Sequence, residues 1–434
     1  MSGITKRALL GASAVAAARL GLGISAGGVI LPKVAKAGGA PAIPPAAPYV
    51  LQQGVGHLYN YSPAKVRRIR AALAKVRAGI ASGYIACLGD SNTRGTGSGT
   101  GGSGSGPMQG YNGWPVQLAA ILTAAGIKAQ CENFFCTGGA GGNYSTYDDR
   151  IVFSGSGISQ PSGSGVVSVG GWMFNATAAG SVTFTTKTAC TSCDIFYFGS
   201  SSSGSMSYQV DGGGATTFSC NQATSNVYKL TISLGSLATH AVTLNWVSGN
   251  SWLIGMDCYD ATTPLLHIWN WGWHGSTTAH WTNQYAGSTA SGTSAWLPLN
   301  CVSASSALQP SGIIGPALGV NDMNTSNNFT PAFVNANKQM LINSWASTTD
   351  TIMLTEGPAT ASNSPSVATQ QQSLAMDYAL AGSLGIPLLD EYGWMGDEPT
   401  METFGIYNND HLHKTKAGHN ITAHMVVDAL LAIA

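Results

Sequence analysis

The chain has 434 residues, of which 44% are apolar and 9% are charged, so it can bury a large core and is not a disordered sequence. No run of about 18 uninterrupted apolar residues follows the N-terminal region, which argues against a membrane span. The formal net charge is zero, but residues 1–80 carry eleven Lys or Arg and no Asp or Glu. The 56 glycines favour a turn-rich protein with substantial β-structure.

Residues 1–37 have the features of an export signal. Lys6 and Arg7 precede a weakly apolar stretch that begins at Ala8, and Ala35-Lys36-Ala37 offers a cleavage site with small residues. The low hydrophobicity and the Lys-Arg pair are closer to a twin-arginine signal than to a strong Sec signal. We therefore expect a secreted or periplasmic protein. The alternative is an N-terminal tail that is never removed.

Residues 38–81 are predicted to form a linker and a basic helix. The linker, 38–61, is rich in Pro and Ala, and Ser62-Pro63 is a typical start for a helix over Ala64–Ile80. This helix carries six basic residues and could contact an acidic glycan, a membrane surface or nucleic acid. We favour a solvated face that packs beside the first strand, and we expect no nucleic-acid partner.

Residues 82–150 show the strand and helix alternation of a doubly wound α/β layer. An apolar run that begins at Tyr84 ends at Gly89 and turns through Asp90 into Ser91. The serine hydroxyl would then lie at the carboxyl end of a strand, where open α/β sheets bind ligands. A flexible loop, a helix and a second strand are predicted over Gly95–Gly106, Trp114–Gly126 and Lys128–Phe135, respectively.

Helical periodicity disappears over residues 151–260. Apolar and polar residues alternate over 228–234 and again over 242–246, and Asp211-Gly-Gly213 is a strong turn signal. This pattern predicts a β-sandwich of jelly-roll type. The sandwich would form an inserted domain that interrupts the α/β domain.

The α/β pattern returns over residues 261–434. Strands are predicted over Leu265–Asn270, Gly312–Gly319, Thr351–Leu354 and Ile386–Asp390, and helices over Val367–Leu384 and from Ala417 to the last residue. The strand ends would present polar or glycine residues at one edge of the sheet: Ser91, Gly275 (or Gly138), Asn321, and the pair Asp410 and His413.

The eight cysteines, at positions 87, 131, 136, 190, 193, 220, 258 and 301, do not form a metal-binding pattern. Cys190-Thr-Ser-Cys193 is a single CxxC without a second pair at zinc spacing. Export would make disulfides plausible, but their pairing does not follow from the sequence.

Ser91, His413 and Asp410 carry the groups needed for nucleophilic catalysis. A serine is a poor nucleophile unless a base removes its proton, and the base needs a third group that fixes its tautomer. Asp410 and His413 are three residues apart, so the carboxylate can bond to Nδ1 and leave Nε2 free to reach Ser91. The backbone N–H groups of Ser91 and Gly275 and the Asn321 amide would donate to the oxyanion.

These motifs resemble those of the SGNH/GDSL hydrolase superfamily. Its nucleophile turn, oxyanion glycine, oxyanion asparagine and Asp-x-x-His pair match, in order, Gly89-Asp90-Ser91, Gly275 within Asn270–Thr277, Gly319-Val-Asn321-Asp322, and Asp410-His-Leu-His413. The resemblance covers roughly residues 82–150 and 261–434. It implies a flavodoxin-like three-layer α/β fold and a Ser-His-Asp triad that requires no cofactor.

The chain departs from the superfamily pattern at two points. Asn92 stands where the family has Leu, a change that leaves the nucleophile untouched. The second motif is ambiguous, because Gly138 in Thr137-Gly138-Gly139 follows the first helix, where that motif normally comes. Gly275 is the favoured oxyanion glycine. If Gly138 has this role instead, Asn270–Thr277 is only the return strand of the insertion.

The histidines near the C-terminus have a second interpretation. His411, His413 and His419 could be surface residues, or they could form a weak metal site with Asp410. The spacing of His411 and His413 lacks a convincing set of further ligands, so no metal is expected.

The predicted function is a serine ester hydrolase that forms an acyl-enzyme, either a carbohydrate O-acetyl esterase or a short-chain carboxylesterase. Trp269, Trp271, Trp273 and Trp281 lie near the oxyanion strand, and exposed tryptophans stack well on sugar rings. With the insert and the export signal, they favour an acetylated polysaccharide as substrate; packing in the core is the alternative. The alternative functions are an O-acetyltransferase with the same triad and a non-catalytic glycan-binding or surface-attachment protein.

Overall fold

The structure is a computed structural model that describes residues 58–99, 108–135, 147–155, 174–282 and 306–434, with short stretches at 23–24, 30–31, 158–159 and 169. The chain divides into two compact units, residues 1–49 and 50–434. In the first unit, the strand Gly23–Ile24 pairs antiparallel with Ile30–Leu31. All further description concerns the second unit.

A seven-stranded sheet forms the centre of the second unit. Its strands are, in spatial order, Leu58–Tyr59, Leu388–Leu389, Asp350–Leu354, Gly312–Ala317, Gly83–Gly89, Leu266–Gly272 and Ala129–Gln130. Every neighbouring pair is parallel except the pair at the Leu58–Tyr59 edge, which is antiparallel. The predicted α/β class with a largely parallel sheet is confirmed. We call Gly83–Gly89 the Gly89 strand and Leu266–Gly272 the Gly272 strand.

Helices cover both faces of this sheet. Along the Gly89 strand, Ile85 and Cys87 pack in one apolar core, and Ala86 and Leu88 pack in another. The first core includes buried residues of the helices Arg67–Arg77, Trp114–Ala124 and Lys416–Ile433, and the second includes those of Pro331–Trp345 and Val367–Leu384. Shorter helices are Ser91–Arg94, Gln109–Asn112, Thr278–Thr282, Val320–Met323, Glu391–Met395 and Glu398–Thr403, and Pro63–Val66 is a 3₁₀ turn.

Two antiparallel sheets follow the strand Ala129–Gln130 in the chain. One contains Thr216–Ser219, Ser205–Val210, Ala241–Ser248, Gly180–Thr185 and Ile151–Gly155, in spatial order. The other contains Asn226–Ala238, Cys190–Gly199, Ser251–Tyr259, Phe174–Ala176 and Ile158–Ser159. Buried side chains of both sheets, such as Val182 and Phe184 of the first and Ile195 and Met256 of the second, share one apolar cluster.

The single strand predicted over Lys128–Phe135 is wrong. Ala129–Gln130 pairs with the Gly272 strand, whereas Asn133–Phe135 leaves the central sheet and pairs antiparallel with Ser251–Tyr259. The reason is Glu132, which is buried between these two pieces and accepts hydrogen bonds from the Arg150 side chain and from the backbone of residues 187 and 188. These bonds belong to the second sheet system and turn the chain toward it.

The basic helix Arg67–Arg77 packs one face against the rest of the protein and exposes the other to solvent, as we predicted. Ile69, Leu73 and Val76 are buried against the central sheet, and Arg68 forms an ion pair with Asp350 at 3.0 Å. In the described part of the chain, no helix is long and apolar enough to cross a membrane.

The cysteines that the structure describes, at positions 87, 131, 190, 193, 220 and 258, are all buried free thiols. Disulfides are therefore absent among these six residues. Cys136 and Cys301 lie outside the described residues.

Candidate active site

Ser91 occupies the turn at the carboxyl end of the Gly89 strand. It is the first residue of the short helix Ser91–Arg94, and the preceding Asp90 caps that helix by accepting the Asn92 N–H at 2.8 Å. The turn packs so closely that a Cβ at Gly89 would lie 2.2 Å from the Thr93 hydroxyl. Glycine at position 89 is therefore required by the close approach of the turn to its own strand.

His413 and Asp410 form a hydrogen-bonded chain that ends at Ser91. The His413 Nε2 lies 2.9 Å from the Ser91 Oγ, and the His413 Nδ1 lies 2.7 Å from the Asp410 Oδ2. Because ionised Asp410 can only accept, Nδ1 carries the proton, and Nε2 is free to accept from the serine hydroxyl. The structure thus brings together the three residues that the sequence analysis chose for a triad.

Asp410 is held in its ionised form by hydrogen bonds. Its Oδ1 accepts the backbone N–H groups of Leu412 at 3.1 Å and His413 at 2.9 Å. Partial burial by itself would raise the pKa of Asp410, but the bonds from the His413 side chain and backbone outweigh burial and lower the pKa. An ionised Asp410 stabilises the imidazolium that forms when His413 takes a proton.

Asn92 connects the serine turn to the histidine segment, a role that the sequence analysis did not predict. Its amide Nδ2 donates to the Leu412 carbonyl at 3.4 Å, and its Oδ1 accepts the Lys414 N–H at 3.3 Å. Asn408 adds a second connection, because its amide donates to the carbonyls of Gly97 and His413. Two separate segments of chain are therefore fixed relative to each other at the site.

Asn321 reaches the serine turn from the neighbouring strand. The strand Gly312–Ala317 is followed by Gly319, whose φ of +145° favours glycine, and then by the helix Val320–Met323. The Asn321 amide donates one hydrogen from Nδ2 to the Asp90 Oδ2 at 2.9 Å. An amide has two such hydrogens, and this bond uses one of them.

Gly275 lies in a tight turn that follows the Gly272 strand. The Ser276 N–H donates to the Trp273 carbonyl at 3.0 Å, and Gly275 has a φ of +69° in this turn. The adjacent His274 ring is parallel to His413 within 17°, with 6.2 Å between ring centroids. This turn is therefore next to the triad. The alternative, Gly138, lies outside the described residues.

His274 is a neutral polar group beside the triad. Burial lowers the pKa of His274 to about 4, and positive charge on Arg94 and on His413 adds to the effect. Its Nδ1 lies 3.4 Å from the Thr96 hydroxyl. The ring thus offers hydrogen-bonding nitrogen atoms close to His413 without adding a second charge at neutral pH.

His411 and His419 do not join the triad. His419 is buried, and its Nε2 lies 3.2 Å from the Thr96 carbonyl. The His411 Nδ1 lies 3.4 Å from a Glu398 oxygen and 3.1 Å from a Glu402 oxygen. These three residues could hold a metal ion, but they are a different set from the His and Asp410 cluster that the sequence analysis considered.

The tryptophan interpretation is wrong. The structure buries Trp269, Trp271, Trp273 and Trp281, with at most 8% of any of them exposed. All four belong to the apolar core that also contains Ala86 and Leu88, and in this core Trp269 and Trp271 stack with centroids 5.7 Å apart. Large aromatic residues in strands usually serve packing in this way. They are not available to stack on a sugar.

Comparison with known proteins supports the fold. No protein-family model matches the sequence, and no curated protein matches it. The solved structure of a peptidoglycan O-acetylesterase matches this chain with a TM-score of 0.64 and 15% identity, over 87% of this chain and 98% of the other. The chain therefore shares its fold with that esterase over most of both chains.

Two further solved structures match less well. A lipase/acylhydrolase from Enterococcus faecalis has 18% identity and a TM-score of 0.29, over 38% of this chain and 74% of the other. A family two carbohydrate esterase from Clostridium thermocellum has 14% identity and a TM-score of 0.26, over 64% of this chain and 97% of the other. These TM-scores are too low to support a conclusion about this chain.

Proposed function

We propose that this protein is a serine ester hydrolase that acts through an acyl-enzyme, with Ser91 as nucleophile, His413 as base and Asp410 as the orienting carboxylate. The observation that carries the proposal is the continuous chain of short contacts, 2.9 Å from Ser91 to His413 and 2.7 Å from His413 to Asp410. Such a chain lets a hydroxyl attack a carbonyl at neutral pH.

The reaction has two steps of acyl transfer. His413 Nε2 takes the Ser91 proton as Oγ attacks the ester carbonyl, and the resulting imidazolium then gives that proton to the leaving alcohol. In the second step, His413 takes a proton from the water that attacks the acyl-enzyme carbonyl. It then gives this proton to the Ser91 Oγ as the acid leaves. The developing oxyanion would accept hydrogen bonds from the N–H groups of Ser91 and Gly275 and from the second hydrogen of the Asn321 amide.

The proposed substrate is an acetyl ester on a glycan. The observation that favours this class is the shared fold with a peptidoglycan O-acetylesterase over most of both chains. The buried tryptophans give no support, so sugar recognition must depend on other residues. Residues 1–37, as an export signal, would deliver the enzyme to a secreted or periplasmic location where such glycans occur.

We further propose that residues 151–260 form an accessory β-sandwich domain, inserted between the hydrolase segments 82–150 and 261–434. Its two antiparallel sheets share a buried cluster, which favours packing face to face. The strand Asn133–Phe135 pairs with one of these sheets, so the sandwich would draw on residues before 151 as well.

Ester hydrolysis by purified protein tests the proposed triad. With p-nitrophenyl acetate, we expect activity in the wild type and a loss of at least about 10³-fold in kcat for Ser91→Ala. The control is Ser201→Ala, which removes an exposed serine hydroxyl from the turn that follows the strand Cys190–Gly199. This change should leave the activity unchanged. Equal activity in Ser91→Ala and wild type would contradict the nucleophile assignment.

A second assay separates the substrate classes. Acetate release is measured from O-acetylated peptidoglycan and from acetylated xylan, with no acceptor alcohol added. Release from either glycan, lost in Ser91→Ala, supports a carbohydrate esterase. In a parallel assay with an added acceptor alcohol, loss of acetyl groups from the glycan and their recovery as an ester of that alcohol indicate a transferase. Glycan binding by wild type and by Ser91→Ala, without turnover of any ester, would replace the proposal with a non-catalytic binding function.

A further inference from the structure

A second carboxyl group lies behind the serine turn. Glu356 follows the strand Asp350–Leu354, and its Oε2 accepts the backbone N–H of Val320 at 2.6 Å. Within the described part of the chain, no N–H or hydroxyl group donates to its buried Oε1. The carboxyl groups of Glu356 and Asp90 also interact, and each shifts the pKa of the other. Because two interacting carboxylates repel each other, we expect one of the two groups to hold a proton.

The hydrogen bonds indicate which group is ionised. Asp90 accepts two N–H groups, from the Asn92 backbone at 2.8 Å and from the Asn321 amide at 2.9 Å. Among the residues that the structure describes, Glu356 accepts one bond of this kind, from Val320. Hydrogen bonds donated to a carboxyl group favour its charged form. Asp90 is therefore the better place for the negative charge, and Glu356 the better place for the proton.

The surrounding charges favour the same assignment. Burial raises the pKa of Glu356 well above its usual range, and the Asp90 carboxylate adds to this effect, whereas Lys338 opposes it. Burial also leaves the pKa of Asp90 above its usual value, although the Glu356 carboxyl group, the Asn92 N–H and the positive charge of Lys414 oppose this rise. Two carboxylates in contact cannot both ionise without strong repulsion.

We propose that Glu356 is a positioning residue for the oxyanion site: as a neutral acid it donates a hydrogen bond to Asp90 and thereby fixes the Asn321 amide. It restrains Asn321 in two ways, through Asp90 at the amide and through the Val320 N–H in the backbone. The other amide hydrogen is then held toward the place where the substrate carbonyl oxygen becomes negative. This inference rests on the proposed esterase function.

Two substitutions at Glu356 test the role. Glu356→Gln keeps an N–H donor for Asp90 and a carbonyl acceptor for Val320, so kcat for p-nitrophenyl acetate should stay within about threefold of wild type. Glu356→Leu removes both, and kcat should fall about 10²–10³-fold, the usual loss for one oxyanion donor, with KM within about threefold. A folded Glu356→Leu protein with wild-type kcat would overturn the proposal, as would an equal loss in Glu356→Gln.

A double-mutant cycle distinguishes positioning from general damage. In an Asn321→Ala background, Glu356→Leu should lower kcat by less than about threefold, because the amide that Glu356 positions is already gone. A full further loss of 10²-fold or more would mean that Glu356 acts independently of Asn321, and would overturn the proposal. Circular dichroism and thermal unfolding of each variant establish that it is folded.

Infrared spectroscopy tests the proton without an activity assay. The difference spectrum of wild type minus Glu356→Gln at pH 7 should show the C=O stretch of a protonated carboxylic acid. Its absence would overturn the neutral-acid assignment even if Glu356→Leu fails to fold. A wild type without esterase activity would contradict the proposed function instead, and the infrared result would still decide the protonation of Glu356.

Discussion

Asp410 has two contacts that a neutral amide cannot reproduce together. One carboxylate oxygen accepts the His413 Nδ1–H, and the other accepts the backbone N–H groups of Leu412 and His413. An Asn side chain has a single acceptor oxygen. If that oxygen keeps the backbone bonds, the NH₂ group faces Nδ1 and favours the tautomer in which Nε2 carries the proton.

We therefore expect Asp410→Asn to lower kcat by about 10²–10⁴-fold with little change in fold. The measurement is steady-state hydrolysis of p-nitrophenyl acetate. Asp397→Asn is the matched control, because Asp397 is an exposed helix cap, where Asn serves as well as Asp. More than about a tenth of wild-type activity in Asp410→Asn would show that His413 does not depend on this carboxylate.

At the scale of elements, the Asp322 side chain links the segment that follows the strand Gly312–Ala317 to the beginning of the helix Thr278–Thr282. Its carboxylate accepts the Thr278 N–H at 2.8 and 3.0 Å, and it also accepts the Thr278 hydroxyl. This contact joins the helix Val320–Met323 to the helix Thr278–Thr282. Burial raises the pKa of Asp322 to about 6, although the bonds from Thr278 oppose the rise.

The raised pKa predicts a stability difference that depends on pH. Between about pH 4 and 6 the folded protein holds a proton on Asp322 that the unfolded chain has lost, so stability increases as pH falls through this window. Relative to Asp322→Asn, whose amide does not titrate, wild type should gain on the order of 2–3 kcal/mol between pH 7.5 and pH 4. Urea unfolding of both proteins at the two pH values measures this difference. A pH-independent difference would mean that Asp322 has an ordinary pKa.

The sequence predicted those elements whose local pattern agrees with their final environment. The Gly89 strand and the helix Val367–Leu384 have strong periodicity and clear ends, and both lie where they were expected. Ser91, Asp410 and His413 were chosen from the Gly-Asp-Ser and Asp-x-x-His motifs, and their side chains lie in one hydrogen-bonded chain. Their catalytic roles stay a prediction. The helix Pro331–Trp345 was missed: its buried face includes Asn337 and Lys338, so it lacks a continuous apolar stripe.

Other features depend on contacts that are distant in the sequence. The break between Gln130 and Asn133 is set by Arg150 and by the backbone near residue 187, and nothing in the local pattern indicates it. The role of Asn92 depends on Leu412 and Lys414, some 320 residues away. Exposure of the tryptophans could not be read from composition, because the same residue type serves in cores and in binding surfaces.

At the scale of the whole second unit, the two antiparallel sheets and the central sheet share buried groups. Asp257, in the strand Ser251–Tyr259, accepts hydrogen bonds from His267 and Trp269 of the Gly272 strand, each at 2.8 Å. Phe196 packs edge-on against Trp269, with 5.7 Å between centroids. Arg150 joins the buried carboxylates of Glu132 and Asp148 with ion pairs of 2.9 and 2.7 Å. The two antiparallel sheets thus complete the core that supports the Gly272 strand.

This shared core predicts that the rest of the second unit cannot fold without residues 151–260. Replacing residues 151–260 by a short Gly/Ser linker removes Asp257 and Phe196, leaves Trp269 without its hydrogen-bond partner, and exposes a large apolar face. We expect the shortened protein to lose its near-ultraviolet circular dichroism and its cooperative urea transition. In the full chain, Phe196→Ala should lower the free energy of unfolding by about 3–5 kcal/mol, with one transition followed by both tryptophan fluorescence and far-ultraviolet dichroism. A shortened protein that unfolds cooperatively and hydrolyses p-nitrophenyl acetate would contradict this prediction. Residues 151–260 would then be a separable module that contributes to substrate recognition and not to the support of the Gly272 strand.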